Sequence, residues 1–176
     1  MSGDARRARS VLFVCTGNIC RSPTAEGVLR TLAARSGLTL EIDSAGLLGA
    51  HAGAPPDPRA QSAAVRRGYD LGALRARRLE PEDLDAYDHV WVMDRGHLNQ
   101  LNRRFGARPN VHLFLAATAP DGVRAREVPD PYLGEAAAFE TVLDLVEAGC
   151  RAAVAAWRTP DEGSDPSSDA PSDLGA

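Results

Sequence analysis

The sequence contains no lysine; all 20 of its basic residues are arginine. We read that absence as the codon bias of a GC-rich bacterial genome and draw no function from it. Cysteine is sparse, three residues in 176 with no metal-ligand spacing, which argues against a disulfide-stapled secreted scaffold and fits a reducing compartment. No apolar run approaches the roughly 20 residues that span a bilayer. Residues 1–10 carry Arg6, Arg7 and Arg9 but lack the apolar core of a signal peptide. The expected location is cytoplasmic, without membrane insertion. Aromatics make up only 5% of the chain, yet 44% of it is hydrophobic, enough for one well-buried domain and too little length for two. A dominant charge is missing as well. Of the net charge of −4, five negative charges (Asp161, Glu162, Asp165, Asp169 and Asp173) lie in the last stretch, and setting them aside leaves +1. With no basic surface in prospect, nucleic acid is not an expected partner.

What is present is concentrated in residues 11–22, read V-L-F-V-C-T-G-N-I-C-R-S. Val11-Leu12-Phe13-Val14 has the length and β-branched content of a buried strand. It runs into Cys15 and a loop containing Gly17. Ser22-Pro23 reads as N-cap and first helical residue, followed by Ala25, Val28, Leu29, Leu32 and Ala33 at one-face spacing. A strand-to-helix crossover of this kind turns successive backbone N–H groups, and the positive helix end, toward the space it encloses, which suits a phosphate. That field favours the thiolate of Cys15, the nucleophilic form. The planar fork of Arg21 can hold two phosphoryl oxygens at once. Cys-x5-Arg alone occurs by chance in many chains; here the strand, glycine and amphipathic helix around it make the phosphate cradle the stronger reading.

Further along, Leu38, Leu40 and Ile42 alternate with polar residues as a second strand ending at Ser44. Residues 47–56 are rich in Gly, Ala and Pro and read as a surface loop. Asp57-Pro58 opens a helix running to about Gly68. Arg75, Arg77 and Arg78 read as a solvated basic face, and residues 81–84 as a short helical turn. Residues 90–93 form a third, fully buried strand, with Asp94 as N-cap of a helix that includes His97 and ends at Gly106. Residues 111–115 are expected to be a fourth strand and residues 116–128 an irregular loop. Phe139, Val142, Leu143, Val146, Cys150, Ala153, Val154 and Trp157 mark a final amphipathic helix. The alternation implies an α/β fold: a doubly wound, four-stranded parallel sheet with helices on both faces, whose ligands gather at the carboxyl ends of the strands. Cys15, Ser44, Asp94 and Asp130 all follow predicted strands. The expected domain is residues 10–158, between a flexible stretch at 1–9 and a disordered acidic tail at 159–176.

The segment Cys15-Thr16-Gly17-Asn18-Ile19-Cys20-Arg21-Ser22-Pro23 resembles the signature of the low-molecular-weight protein tyrosine phosphatases along its whole length. The resemblance extends from about residue 10 to 157 and implies strand order 2-1-3-4. It implies Cys15, Arg21 and Asp130 as catalytic, Asp130 as the general acid within Pro129-Asp130-Pro131-Tyr132, and residues 16–22 as phosphate-binding. Ser44 is then the serine that hydrogen-bonds Asn18, and Ser22 the hydroxyl that holds the sulfur. Ala50 and Tyr132 flank the substrate slot, with Ala50 where relatives often carry an aromatic, and Leu74 stands where many have a histidine touching Asn18. His97, where some relatives carry Asn, is read as a helix residue. Cys15 and Cys20 share one short loop and form a candidate redox pair. The implied reaction hydrolyses phosphotyrosine in protein substrates through a phosphocysteine, with no cofactor or metal, and admits a cognate tyrosine kinase as a partner. Ile19, where the related protein-arginine phosphatases have Thr, favours tyrosine. Three alternatives remain open at this point: arginine dephosphorylation, thiol-dependent arsenate reduction (residues 69–105 hold no relay cysteine), and a non-catalytic phosphate-binding module, against which Asp130 argues.

Overall fold

The computed structural model describes residues 9–158. The central strand is β1 (Arg9–Cys15), paired in parallel with β2 (Leu40–Gly46) on one side and with β3 (His89–Val92) on the other. β3 in turn pairs with β4 (Val111–Leu113), which gives the order 2-1-3-4. Because β1 is covered on both faces, its apolar residues run without a polar break. Val11 and Phe13 join Ala25, Leu29, Trp91, Phe114 and Val146 on one side of the sheet, while Leu12 and Val14 join Leu84, Val90, Val92 and Leu101 on the other. Leu12, Phe13 and Val14 are completely buried.

The first layer holds α1 (Arg21–Arg35), α2 (Pro58–Arg66), α5 (Phe114–Thr118) and α6 (Ala136–Trp157); α3 (Asp83–Ala86) and α4 (Arg95–Phe105) form the second. Local chemistry sets their ends. The Asp57 carboxylate accepts the Arg59 N–H at the start of α2, and the Asp94 carboxylate accepts the His97 N–H at the start of α4. At the end of α1, Gly37 adopts φ +69° and the Leu38 N–H returns to the Ala33 carbonyl at 2.9 Å. Among the described residues no helix is long and apolar enough to cross a membrane.

Several boundaries differ from expectation. Arg9 belongs to β1 and its guanidinium lies over the Trp157 ring at 4.8 Å, so the first nine residues are not all outside the fold. α1 begins at Arg21 with Cys20 as its N-cap; Ser22 is not the cap, because its hydroxyl is turned to Cys15 and Asn18. β2 starts at Leu40, since Leu38 closes the end of α1, and Met93 falls outside β3. β4 has only three residues: Phe114 and Leu115, expected in the strand, open α5, and helix continues to Thr118 in what reads as loop. Arg77 is not a solvated charge but pairs with Asp43 and Asp83 at 3.0 and 2.9 Å. Trp157 is only partly buried, stacked on Trp91 at 5.6 Å with an interplanar angle of 10°. The segments 1–8 and 159–176, including the expected acidic tail, lie outside the described residues.

Candidate active site

β1 delivers Cys15 to the carboxyl edge of the sheet, and residues 16–20 turn the chain into the N-terminus of α1. Among the described residues, no backbone carbonyl takes the N–H groups of residues 16–20, so they remain free for an anion next to the positive helix end. β2 must pass close beneath. A Cβ on Gly46 would meet the Thr16 carbonyl oxygen at 2.9 Å and the Gly17 carbonyl carbon at 3.0 Å, and this backbone crowding restricts the position to glycine.

Asn18 holds the turn. It is a non-glycine residue at φ +57°, a conformation that costs energy and persists where its surroundings enforce it. Its amide donates to Ser22 Oγ at 2.8 Å and to Ser44 Oγ at 2.9 Å, while its oxygen accepts the Arg77 N–H at 3.0 Å. These bonds orient the hydroxyls. Ser44 accepts from Asn18 and donates to Glu26 Oε2 at 2.5 Å. Ser22 accepts from Asn18, which leaves its proton for Cys15 Sγ at 3.0 Å. Behind Ser44, burial pushes the Glu26 carboxyl up, opposed by its hydrogen bonds from Ser44 and Arg30.

Arg21 is 3% exposed and fixed by α4 and the chain after β4: Nη1 donates to Asp94 Oδ2 at 2.7 Å and to the Val128 carbonyl at 3.1 Å. Nη2 lies 3.4 Å from His97 Nε2 and 3.6 Å from Asp130 Oδ2. Although burial works against it, the His97 N–H and Arg21 hold the Asp94 carboxyl below its usual range. His97 is itself buried and reaches Thr16 Oγ1 at 2.8 Å. The side chains of Asp94 and His97 thus brace Arg21 and Thr16; the sequence reading placed Asp94 as a helix cap at the carboxyl end of a strand, where ligands gather, and His97 as a helix residue, without giving either a partner. The signal for Asp94 was its position at the carboxyl end of β3.

Next to this network lies a cavity of about 190 Å³ whose lining includes Cys15, Cys20, Arg21, Asp130 and Tyr132. Ala50 lies on its lining with Leu48 and His51, neither of which was singled out from sequence. Tyr132 remains 47% exposed, and the Asp130 carboxylate accepts the Tyr132 N–H at 3.1 Å. Burial, with Asp57, Cys15 and Asp130 nearby, pushes the Cys20 thiol up to about 12. Among the described residues, no group of three or more His, Cys, Asp or Glu side chains is placed to hold a metal ion. The sequence-predicted residues Cys15, Thr16, Gly17, Ile19, Cys20, Arg21, Ala50, Asp130 and Tyr132 all line the one cavity, with Asn18, Ser22 and Ser44 buried behind it.

Residues 10–160 match the profile of the family described as low molecular weight phosphotyrosine protein phosphatase. The chain is 38% identical over 143 residues to the low molecular weight protein-tyrosine-phosphatase YfkJ of Bacillus subtilis, covering 80% of this chain and 90% of that one. It is 37% identical over 147 residues to the human low molecular weight phosphotyrosine protein phosphatase, covering 82% and 92%. The crystal structure of YfkJ superposes with a TM-score of 0.79 at 36% identity, over 87% of this chain and 96% of the other. With the cysteine loop, its supporting network and the matched length in agreement, the chain belongs to the low molecular weight phosphotyrosine protein phosphatase family.

Proposed function

We propose that this enzyme hydrolyses phosphotyrosine in proteins through a phosphocysteine intermediate. The observation that carries the reading is the placement of Cys15, Arg21 and Asp130 around one cavity, with Ser22 hydrogen-bonded to the sulfur. Cys15 Sγ attacks phosphorus as the bond to the phenolic oxygen breaks, and that oxygen takes its proton from Asp130. The loop amides and Arg21 stabilise the charge on the equatorial oxygens. Water then attacks the phosphocysteine, giving its proton to the Asp130 carboxylate, and Cys15 leaves as a thiolate stabilised by Ser22. Tyrosine is favoured by the lining: Ile19 and Tyr132 offer apolar and aromatic surface to a phenyl ring.

Cys20 lines the same cavity, and with its thiol pushed up to about 12 it stays protonated at neutral pH. That makes it a slow nucleophile, but it shares the short loop with Cys15: once peroxide has oxidised Cys15 to a sulfenic acid, the Cys20 sulfur attacks it as it loses its proton, water leaves and a reducible disulfide forms. The test of the main reading is single-turnover trapping with an aryl phosphate. A phosphoenzyme is expected in the parent chain, and Cys15→Ser should abolish it while retaining phosphate binding. Turnover that survives Cys15→Ser would sink the mechanism.

A further inference from the structure

Asp130 sits on a segment with little structure of its own, and what fixes it there is a separate question from what makes it an acid. Upstream the segment is tied by Val128, whose N–H donates to the Met93 carbonyl at 2.8 Å and whose carbonyl accepts from Arg21. Downstream, the Gly134 N–H only returns to the Pro131 carbonyl at 2.9 Å, a bond within the segment itself. The tie to the body of the protein on that side comes from Arg59, in the first turn of α2. Its Nη2 donates to the Tyr132 carbonyl at 3.0 Å and its Nη1 reaches the Gly134 carbonyl at 3.5 Å.

The other side of the same guanidinium is anchored. Nε and Nη2 donate to the two carboxylate oxygens of Asp57 at 3.1 and 2.8 Å, a two-pronged pairing that a lysine cannot reproduce. The Arg59 bonds, chiefly the side-chain pair, hold the Asp57 carboxyl below its usual range against a smaller opposing effect of burial. Asp57 is nearly buried, and its N–H donates to the Ile19 carbonyl of the phosphate loop at 2.8 Å. The guanidinium also lies over two rings, 4.7 Å from the centre of Phe139 and 5.7 Å from that of Tyr132. One side chain thus joins the segment carrying the acid, the wall ring of the slot and the loop carrying the nucleophile.

We infer that Arg59 is a positioning residue for proton transfer: it sets the Asp130-Pro131-Tyr132 backbone at a fixed distance from the phosphate loop through Asp57. It touches neither phosphorus nor the leaving oxygen, and acts only through Asp130 and Tyr132. Proton donation depends steeply on alignment, whereas phosphate binding depends on the loop amides and Arg21, which Arg59 does not contact. The inference rests on the reading of Asp130 as general acid.

The experiment measures kcat/KM across aryl phosphates of graded leaving-group pKa for the parent enzyme, Arg59→Met, Asp130→Asn and the double variant. Asp130→Asn should lose roughly 10²–10⁴-fold with poor leaving groups and much less with good ones. Arg59→Met should show the same graded pattern at roughly 10-fold to 100-fold, inhibition by inorganic phosphate unchanged within about 2-fold, and no further loss in the Asp130→Asn background. Arg59→Lys, which keeps charge and stem but not the fork, should behave like Arg59→Met; it decides the matter alone if Arg59→Met does not fold. A loss equal for all leaving groups, or one that multiplies with Asp130→Asn, would overturn the inference and leave Arg59 a structural residue. If Asp130→Asn itself shows no leaving-group dependence, the acid assignment fails instead.

Discussion

His97 shows how much of the site is decided by single side chains far apart in sequence. Arginine can only donate hydrogen bonds, so the 3.4 Å contact with Arg21 Nη2 suits a neutral His97 ring with Nε2 as acceptor; Nε2 also lies 2.8 Å from Thr16 Oγ1, a hydroxyl that can donate or accept. His97 Nδ1 lies 3.4 Å from Asp94 Oδ1 without making a well-formed hydrogen bond. The neutral ring is enforced by its surroundings: burial, reinforced by Arg21 and opposed by Asp94 and Asp130, pushes its pKa from 6.5 down to about 4. The unfolded chain therefore takes up a proton near pH 6.5 that the folded one refuses until about pH 4. Stability contributed by neutral His97 is complete above the first value and is lost as pH falls through that window. We expect the melting temperature of the parent to converge on that of His97→Asn as pH drops from 6.5 to about 4; a gap that stays constant would mean that His97 is not held neutral. Cys15 and Arg21 stood out in the sequence by their spacing in one short loop, and Asp130 by the resemblance of its Pro-Asp-Pro-Tyr frame; the structure brings all three to one cavity. The contacts of Asp94, His97, Glu26 and Arg59 were not legible, because their partners lie 73, 76, 18 and 73 residues away and only the fold brings them together.

At the scale of elements, the segment after β2 is hydrogen-bonded to the phosphate loop through backbone groups. The Leu47 and Leu48 N–H groups donate to the Cys15 and Thr16 carbonyls, each at 2.9 Å. That anchoring fixes where the wall of the slot stands, while the side chains on it are free to vary. Ala50 presents only a methyl group to the proposed slot, with His51 turned against Gly17 so closely that a Cβ there would sit 3.0 Å from its ring. Ala50→Trp should lower KM for aryl phosphates by about 2-fold to 10-fold, from roughly 0.5–1.5 kcal/mol of ring packing. Its effect on kcat should be smaller, because the contact is shared by ground and transition states. A kcat change with constant KM would show that the wall acts on chemistry instead. The hydrophobic pattern of the sequence carried the four strands and the longer helices because each buries a face large enough to leave a period. It did not carry the junction of β4 and α5, where Phe114 and Leu115 are completely buried and a short apolar run reads alike as strand or helix.

For the molecule as a whole, the proposed phosphate site is a property of the completed sheet. Cys15 ends β1, Gly46 beneath the loop ends β2, Asp94 follows β3, and Arg21 reaches across to the segment behind β4 through Val128. None of these positions exists in the unfolded chain, so an oxyanion that binds the cradle must stabilise the entire fold. Inorganic phosphate at ten times its dissociation constant adds RT ln 11, about 1.4 kcal/mol, which for a domain of this size corresponds to a rise in melting temperature of roughly 3–6 °C. Thermal unfolding in phosphate against chloride at equal ionic strength measures it. Cys15→Ser should keep the full rise, since the amides and Arg21 remain, whereas Arg21→Met should lose most of it. The rise separates binding from chemistry, because it requires no turnover. If phosphate left the parent's melting temperature where chloride does, the free N–H groups of residues 16–20 would not be an anion cradle, and Cys15 would have no phosphoryl group held in line for attack.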